Sequence, residues 1–174
     1  MSDFDSFVRR LTDRLAEQDA EIEGLKRRLN NVIREGIITD VNHKTGKARV
    51  RSNGIDSPDH PWSTRSGGQQ EWDPPANGER VVVISPTGDP AQGIILPGGY
   101  SDSFKQPYDK PDSWYRKVGD GTVLQDKEQV LLKFGEASIR ISADGIMISI
   151  GSSSFKIGSD GVDLVATKFA ARKA

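Results

Sequence analysis

The sequence SIRISADGIMI at residues 138–148 is followed, sixteen residues later, by SFKIGSDGVDL at residues 154–164. Each copy alternates apolar and polar residues, reverses at an Asp-Gly pair and alternates again. Alternation with a period of two predicts strands with one apolar face, and Asp-Gly supplies the positive φ angles of a tight reversal. Neither copy contains a helix that could cover this face. A lone meander cannot build a core, so we predict that its apolar face packs against other copies of the chain.

The composition favours an elongated or oligomeric protein. Only 34% of the 174 residues are hydrophobic, and 18 glycines and 9 prolines interrupt regular structure. The net charge of −1 provides no basic excess for phosphates, so nucleic acid is not expected as the main partner. The chain has no cysteine, which excludes disulfides and thiolate sites. Neither a signal peptide nor a run of eighteen apolar residues is visible, so we expect a protein made in the cytoplasm.

Residues 1–33 are predicted to form one helix with a heptad repeat. Arg14 would face Asp19 and Glu21 would face Lys26 of a parallel partner, and both pairs are attractive. The one glutamine in the predicted seam lowers stability and fixes the register. The pattern predicts a self-associating coiled coil, although a single amphipathic helix packed on a domain would share it. The predicted seam consists of Phe4, Val8, Leu11, Leu15, Gln18, Ile22, Leu25, Leu29 and Val32.

Residues 34–99 carry short strand patterns with no helix between them, which is typical of a small barrel of the oligonucleotide/oligosaccharide-binding (OB) type. The segment at 79–85 is apolar on both faces and is expected to be central. Residues 100–113 contain two prolines and many polar side chains and are predicted to form an extended connector. The predicted strands of the barrel cover residues 36–41, 47–51, 62–65, 79–85 and 92–99.

The sequence offers little for catalysis or metal binding. Its two histidines, His43 and His60, are predicted to lie in loops as solvated surface residues. Aspartates that precede glycines could serve as paired acid and base, but at strand reversals they are more typical of turns. The three tryptophans are assigned to the core and rim of the barrel, with stacking on sugars or bases as the alternative. We therefore predict no catalytic residue and no metal site.

Several stretches of the barrel region carry a specific resemblance. Together they resemble baseplate assembly protein V, the central tail spike of contractile-tailed bacteriophages and R-type pyocins, over about residues 34–135. The helix before this region and the meander after it follow the order of that family. The stretches are REGIITDV at 34–41, ARVR at 48–51, PWSTRSGG at 61–68, GERVVV at 78–83, SPTGDP at 85–90 and QGII at 92–95.

The resemblance implies a mainly β homotrimer that belongs to the baseplate of a virion or pyocin tail and is assembled in the host cytoplasm. The order would be a trimeric coiled coil at 1–33, an OB-type barrel at 34–99, a connector at 100–113, an intertwined triple-stranded β-helix at 114–165 and a tip at 166–174. Tail-tube and baseplate proteins would be its partners, and the spike would puncture the bacterial outer membrane on sheath contraction. No cofactor is expected, with an ion trapped on the threefold axis left open. Residues expected on that axis are Ile139, Ile141, Ile146, Ile148, Ile150, Phe155, Ile157, Val162 and Leu164.

Some members of that family close the tip with a metal held by a His-x-His pair from each chain. This sequence has no histidine after His60, so that site cannot be carried over. Val165 and Phe169 would pack on the axis, or a separate cap protein would complete the tip. The basic tip residues would face either the anionic outer membrane or solvent; they are Lys168, Arg172 and Lys173.

Three alternatives to a phage or pyocin spike remain at this point. One is the spike of a type VI-like injection apparatus, although those proteins carry a larger base domain. Another is an OB-type binding module for single-stranded nucleic acid or oligosaccharide, which the net charge disfavours for nucleic acid. The last is an enzyme such as a cell-wall hydrolase, but we expect no additional domain in this sequence that could carry such an activity.

Overall fold

The computed structural model describes residues 3–168 and divides the chain into two units, with the boundary between Lys105 and Gln106. The first unit combines one helix with a six-stranded sheet, and the second consists of a seven-stranded sheet. The predicted mainly β fold is therefore confirmed. Within residues 3–168, no helix has the length and apolar character needed to cross a membrane.

Helix α1 spans Asp3–Val32. Asp3 and Asp5 lie in its first turn, where negative charge complements the helix dipole. None of its residues is buried. The apolar stripe of the helix is thus largely left uncovered by the rest of the described chain.

The barrel unit is built from short antiparallel strands. They run β1 Ile33–Asn42, β2 Lys47–Ser52, β3 Ile55–Asp56, β4 His60–Pro61, β5 Arg80–Ile84 and β6 Ile94–Pro97. The sheet order is β3-β2-β1-β5-β6, and β4 also pairs with β2. The segment predicted to be central, β5, does lie between β1 and β6. The inward side chains form one core of Ile38, Ala48, Val50, Trp62, Val81, Val83 and Ile95.

Two expectations for this unit are wrong. The strand predicted at 62–65 is absent; instead, pairing occurs at β3 and β4, and Trp62 makes only an isolated bridge to Ile95. Pro58 and Pro61 lack the N–H groups that a longer ladder would need. His60 is also not a solvated loop residue, because it lies in β4 and is only 1% exposed.

The end of α1 is joined closely to the barrel. The N–H of Ser85 donates a hydrogen bond to the carbonyl of Val32, with a nitrogen–oxygen distance of 2.8 Å. Gly88, which closes the following turn, has a φ of +69°, and a Cβ at this position would lie 2.5 Å from the carbonyl oxygen of Arg28. Only glycine allows this turn to touch the backbone of the helix.

The second unit is an antiparallel meander in strict chain order. The sixteen-residue repeat corresponds to two successive hairpins, β10–β11 and β12–β13. Gly145 and Gly161 begin the second strand of each hairpin with φ angles of +126° and +143°, which favour glycine. The strands are β7 Trp114–Val118, β8 Gly121–Gln125, β9 Gln129–Phe134, β10 Ala137–Ser142, β11 Gly145–Ile150, β12 Ser153–Gly158 and β13 Gly161–Val165.

Candidate self-association surfaces

The register of the seven-stranded sheet aligns apolar side chains in rows across the strands. Ile139 lies opposite Ile148, which lies opposite Phe155, and the row ends at Leu164. Because side chains in register share a face, these four residues lie on the same side of the sheet.

A second row runs parallel to the first, two residues along each strand. Ile141 lies opposite Ile146, which lies opposite Ile157, and Val162 ends the row. Ile150 begins a third row opposite Ala137. The structure thus brings all nine predicted axis residues onto one face, which we call the apolar face.

The apolar face is open to solvent in the single chain. Its nine predicted residues are 37–63% exposed, with Phe155 the least and Ile150 the most exposed. On the opposite face, polar and charged side chains predominate in the repeat, and there the hydroxyls of Ser138 and Ser149 lie 2.8 Å apart in a cross-strand contact. A sheet normally covers its apolar side and leaves its polar side wet, so the apolar face lacks its cover.

Part of this face lies before the repeat and was not predicted from the sequence. Leu132 continues the first row opposite Ile139, Val130 continues the second opposite Ile141, and Phe134 lies opposite Ala137. A groove of about 630 Å³ opens here, between Val118, Phe134 and the rows of the repeat. The alternation of QVLLKF at 129–134 is the signal that could have identified these residues.

The predicted seam of α1 is also unpacked. Phe4 and Leu29 are its most exposed large apolar residues, at 71% and 72%. Gln18 is exposed as well, whereas Val32 is half-buried where the helix meets the barrel. Among residues 3–168, the helix therefore packs against the rest of the chain at its C-terminal end, and the stripe before that end is left exposed.

The tip residues are only partly described. Val165 ends β13 opposite Ser154, which places it on the face opposite to Leu164. Lys168 is exposed. The other predicted tip residues, Phe169, Arg172 and Lys173, lie outside the described residues.

The barrel carries two grooves of different size, and the larger, of about 430 Å³, lies beside Glu35, Arg51 and Arg80. Trp62 and Trp72 contact edge to face with ring centroids 5.4 Å apart, and Trp72 is 58% exposed. The groove beside Trp62, which also touches Pro74 and Pro75, has a volume of about 110 Å³. Ligand pockets are typically about 300–1,000 Å³, so the groove beside Trp62 is smaller than a typical small-molecule pocket.

One carboxylate with a lowered pKa, that of Asp126, stabilises a turn. Asp126 accepts hydrogen bonds from the backbone N–H groups of Glu128 and Gln129 at 2.9 Å, and the bond from Glu128 contributes most to a pKa of this carboxyl below its ordinary value. This is the chemistry of an Asx turn between β8 and β9. Among residues 3–168, no three His, Asp or Glu side chains are placed to hold a metal ion together.

Comparison with known proteins identifies what parts of this chain are similar to. Residues 34–100 match the family described as the Type VI secretion system/phage-baseplate injector OB domain. The chain is 33% identical to the spike protein of Escherichia phage P2 over 107 residues, which amount to 61% of this chain and 51% of that protein. The match thus spans about half the length of this curated relative. The predicted resemblance to a baseplate spike is confirmed by these two findings.

Proposed function

We propose that this chain, whose barrel belongs to the injector OB-domain family of phage baseplates and Type VI secretion systems, forms a homotrimeric tail spike. The observation that carries the proposal is the apolar face: nine residues on one side of a seven-stranded sheet that remain 37–63% exposed. Three copies related by a threefold axis would turn these faces toward one another and form a continuous apolar interior.

The burial available is large enough to hold three chains together. Burying an Ile, Leu, Val or Phe side chain completely contributes about 1.5–3 kcal/mol, so covering the exposed half of each contributes about 1 kcal/mol. Nine such residues in each of three chains would contribute roughly 25 kcal/mol before the entropic cost of association. That supports a trimer in which the strands of different chains wind about one another as a β-helix.

The helix supports the same symmetry at the other end of the chain. Its stripe has no cover until the last turn, and its charge pattern favours a parallel partner. A trimeric coiled coil would therefore align three chains before their barrels. The rigid contact of Gly88 with Arg28 would carry that alignment into the barrel.

The proposed task is mechanical, and it requires no nucleophile, base or cofactor. A shaft that is pushed through the bacterial outer membrane has to transmit axial force without unfolding. Three chains wound about one axis satisfy this because separating them requires unwinding the chains and exposing the apolar interior together, which makes unfolding slow. We place the spike in the baseplate of a phage or pyocin tail, with the tail tube and other baseplate proteins as partners.

The molar mass in solution tests the proposal. Light scattering should give a mass near three times 19.0 kDa, and the oligomer should survive detergent without boiling. A monomer would contradict the proposal and leave the apolar face without an occupant. Filter binding with labelled single strands provides the comparison with an OB-type binding module, and we expect no retention.

A further inference from the structure

We propose that His60 makes the barrel sensitive to acid, because protonating this buried side chain would place a second positive charge in the core near the Arg34 guanidinium. This acid sensitivity does not depend on trimer formation, since every residue involved lies within one barrel. His60 belongs neither to the proposed shaft nor to the proposed coiled coil.

His60 is held tightly in the core. It is 1% exposed, and β4 pairs it with Ala48, whose side chain is also buried. The position that a Cβ on Gly93 would occupy lies 3.0 Å from its Cε1 and 3.1 Å from its Nδ1. The imidazole therefore rests directly on the backbone of Gly93, and any larger residue there would displace it.

Several buried polar atoms of the barrel, one of them on His60, lack a hydrogen-bond partner. In the described part of the chain these atoms are Nε2 of His60, Nε and Nη2 of Arg34, Nε1 of Trp62 and Oγ of Ser85. Arg34 lies opposite Val83 across β1 and β5, and the side chain of Val83 lies beside Gly93, as the imidazole of His60 does. A protonated imidazole donates from both nitrogens, so acid would add a donor and a charge to a core in which the Arg34 donors are already unmatched.

The charges around the ring also oppose protonation. Burial, followed by Arg34 on β1 and Lys47 on β2, lowers the pKa of His60, whereas Asp59 acts in the other direction. The carboxylate of Asp59 is already engaged by Arg49 at 2.8 Å. On the side of the ring that faces β5 and β6 lie Gly93 and, beside it, Val83, and neither carries a charge.

The direction of the effect follows from linkage. The unfolded chain takes up the histidine proton near an ordinary pKa of 6.5, whereas the folded barrel takes it up only at lower pH. The contribution of neutral His60 to stability is therefore fully present above pH 6.5 and is lost as the pH falls below that value. In this range the folding equilibrium constant falls by up to about tenfold per pH unit. The sequence has no histidine after His60, so the shaft has no equivalent group.

The first test uses the unmodified full chain with its histidines labelled with ¹³C at Cε1. The chain has two histidine signals, and His43→Asn identifies which one belongs to the turn residue. We expect the His60 signal to stay in the neutral form through pH 6.5 and to change only when the barrel signals change with it. A His60 signal that titrates at or above pH 6.5 while the barrel stays folded would overturn the proposal.

The second test compares variants by barrel unfolding, followed through the fluorescence of Trp62 and Trp72. In the parent chain and in His43→Asn, the folding equilibrium constant should fall by up to about tenfold per pH unit as the pH is lowered below about 6.5. His60→Leu, which keeps the side chain apolar and of similar size, should lose this dependence. If His60→Leu kept the full dependence, carboxylates would be responsible and the proposal would be wrong; if it failed to fold, the titration above would decide.

Discussion

Replacing Ile148 with aspartate should prevent the chain from assembling. Ile148 lies at the centre of the apolar face, between Ile139 and Phe155, on a strand that has neighbours on both sides. In the proposed trimer, three copies of this side chain approach the threefold axis, so each chain would bring one carboxylate into an apolar interior.

The size of the effect follows from the exposure of Ile148. It is 46% exposed in the single chain, so its remaining burial contributes about 1 kcal/mol per chain and about 3 kcal/mol per trimer. That alone lowers the association constant by about two orders of magnitude. Each unpaired carboxylate adds a desolvation penalty of several kcal/mol, so the total loss should exceed about 10 kcal/mol per trimer.

Met147 supplies the matched control. It precedes Ile148 on the same strand but lies on the opposite face, in register with Arg140 and Lys156. Met147→Asp places its carboxylate beside two cations and should leave the oligomer intact. Light scattering should therefore give a trimer for Met147→Asp and a mass near 19.0 kDa for Ile148→Asp. An intact trimer with Ile148→Asp, or equal dissociation of both variants, would refute the assignment of the apolar face to the interior.

Three further predictions concern the helix and the barrel. Gly88→Ala should destabilise the helix–barrel junction by about 2–3 kcal/mol and lower its melting temperature, because the new Cβ adds a clash with Arg28 to the strain of a positive φ. Gly46 has a similar φ but open space around it, so Gly46→Ala should destabilise the barrel only by the backbone strain of about 1 kcal/mol in the same thermal scan. Gln18→Leu should raise the helix melting temperature measured by circular dichroism if the seam is buried, and no change would point to an isolated helix. Ser85→Ala should leave the stability of the barrel to urea unchanged or raise it by about 1 kcal/mol, since the hydroxyl is buried without a partner; a clear loss would reveal a hidden hydrogen bond.

The meander could be predicted from sequence because its signals are local. Alternation fixes which residues share a face, and each Asp-Gly pair fixes where the strand reverses, so the rows ending at Val162 and Leu164 follow from the repeat. The extension through Leu132 was missed because two adjacent leucines at 131–132 blur the alternation of β9. Periodicity identifies which residues share a face, but it does not identify what covers that face.

The burial of His60 could not be predicted, for a different reason. Its neighbours in sequence, Asp59 and Pro61, are typical of a surface loop. Its place in the core depends on a two-residue strand and on the absence of a side chain at Gly93, which lies more than thirty residues further along the chain. Nothing within a short window of sequence reports such a contact.

The sixteen-residue repeat has a consequence for how such a protein can change in evolution. Sixteen is an even number, so inserting or deleting one complete unit leaves every following side chain on its original face. Each unit adds two strands, and adjacent strands are about 4.7–4.9 Å apart, so one duplication would extend the sheet by about 9–10 Å. The number of repeats therefore sets the length of the sheet, which can change in fixed steps while every side chain keeps its face.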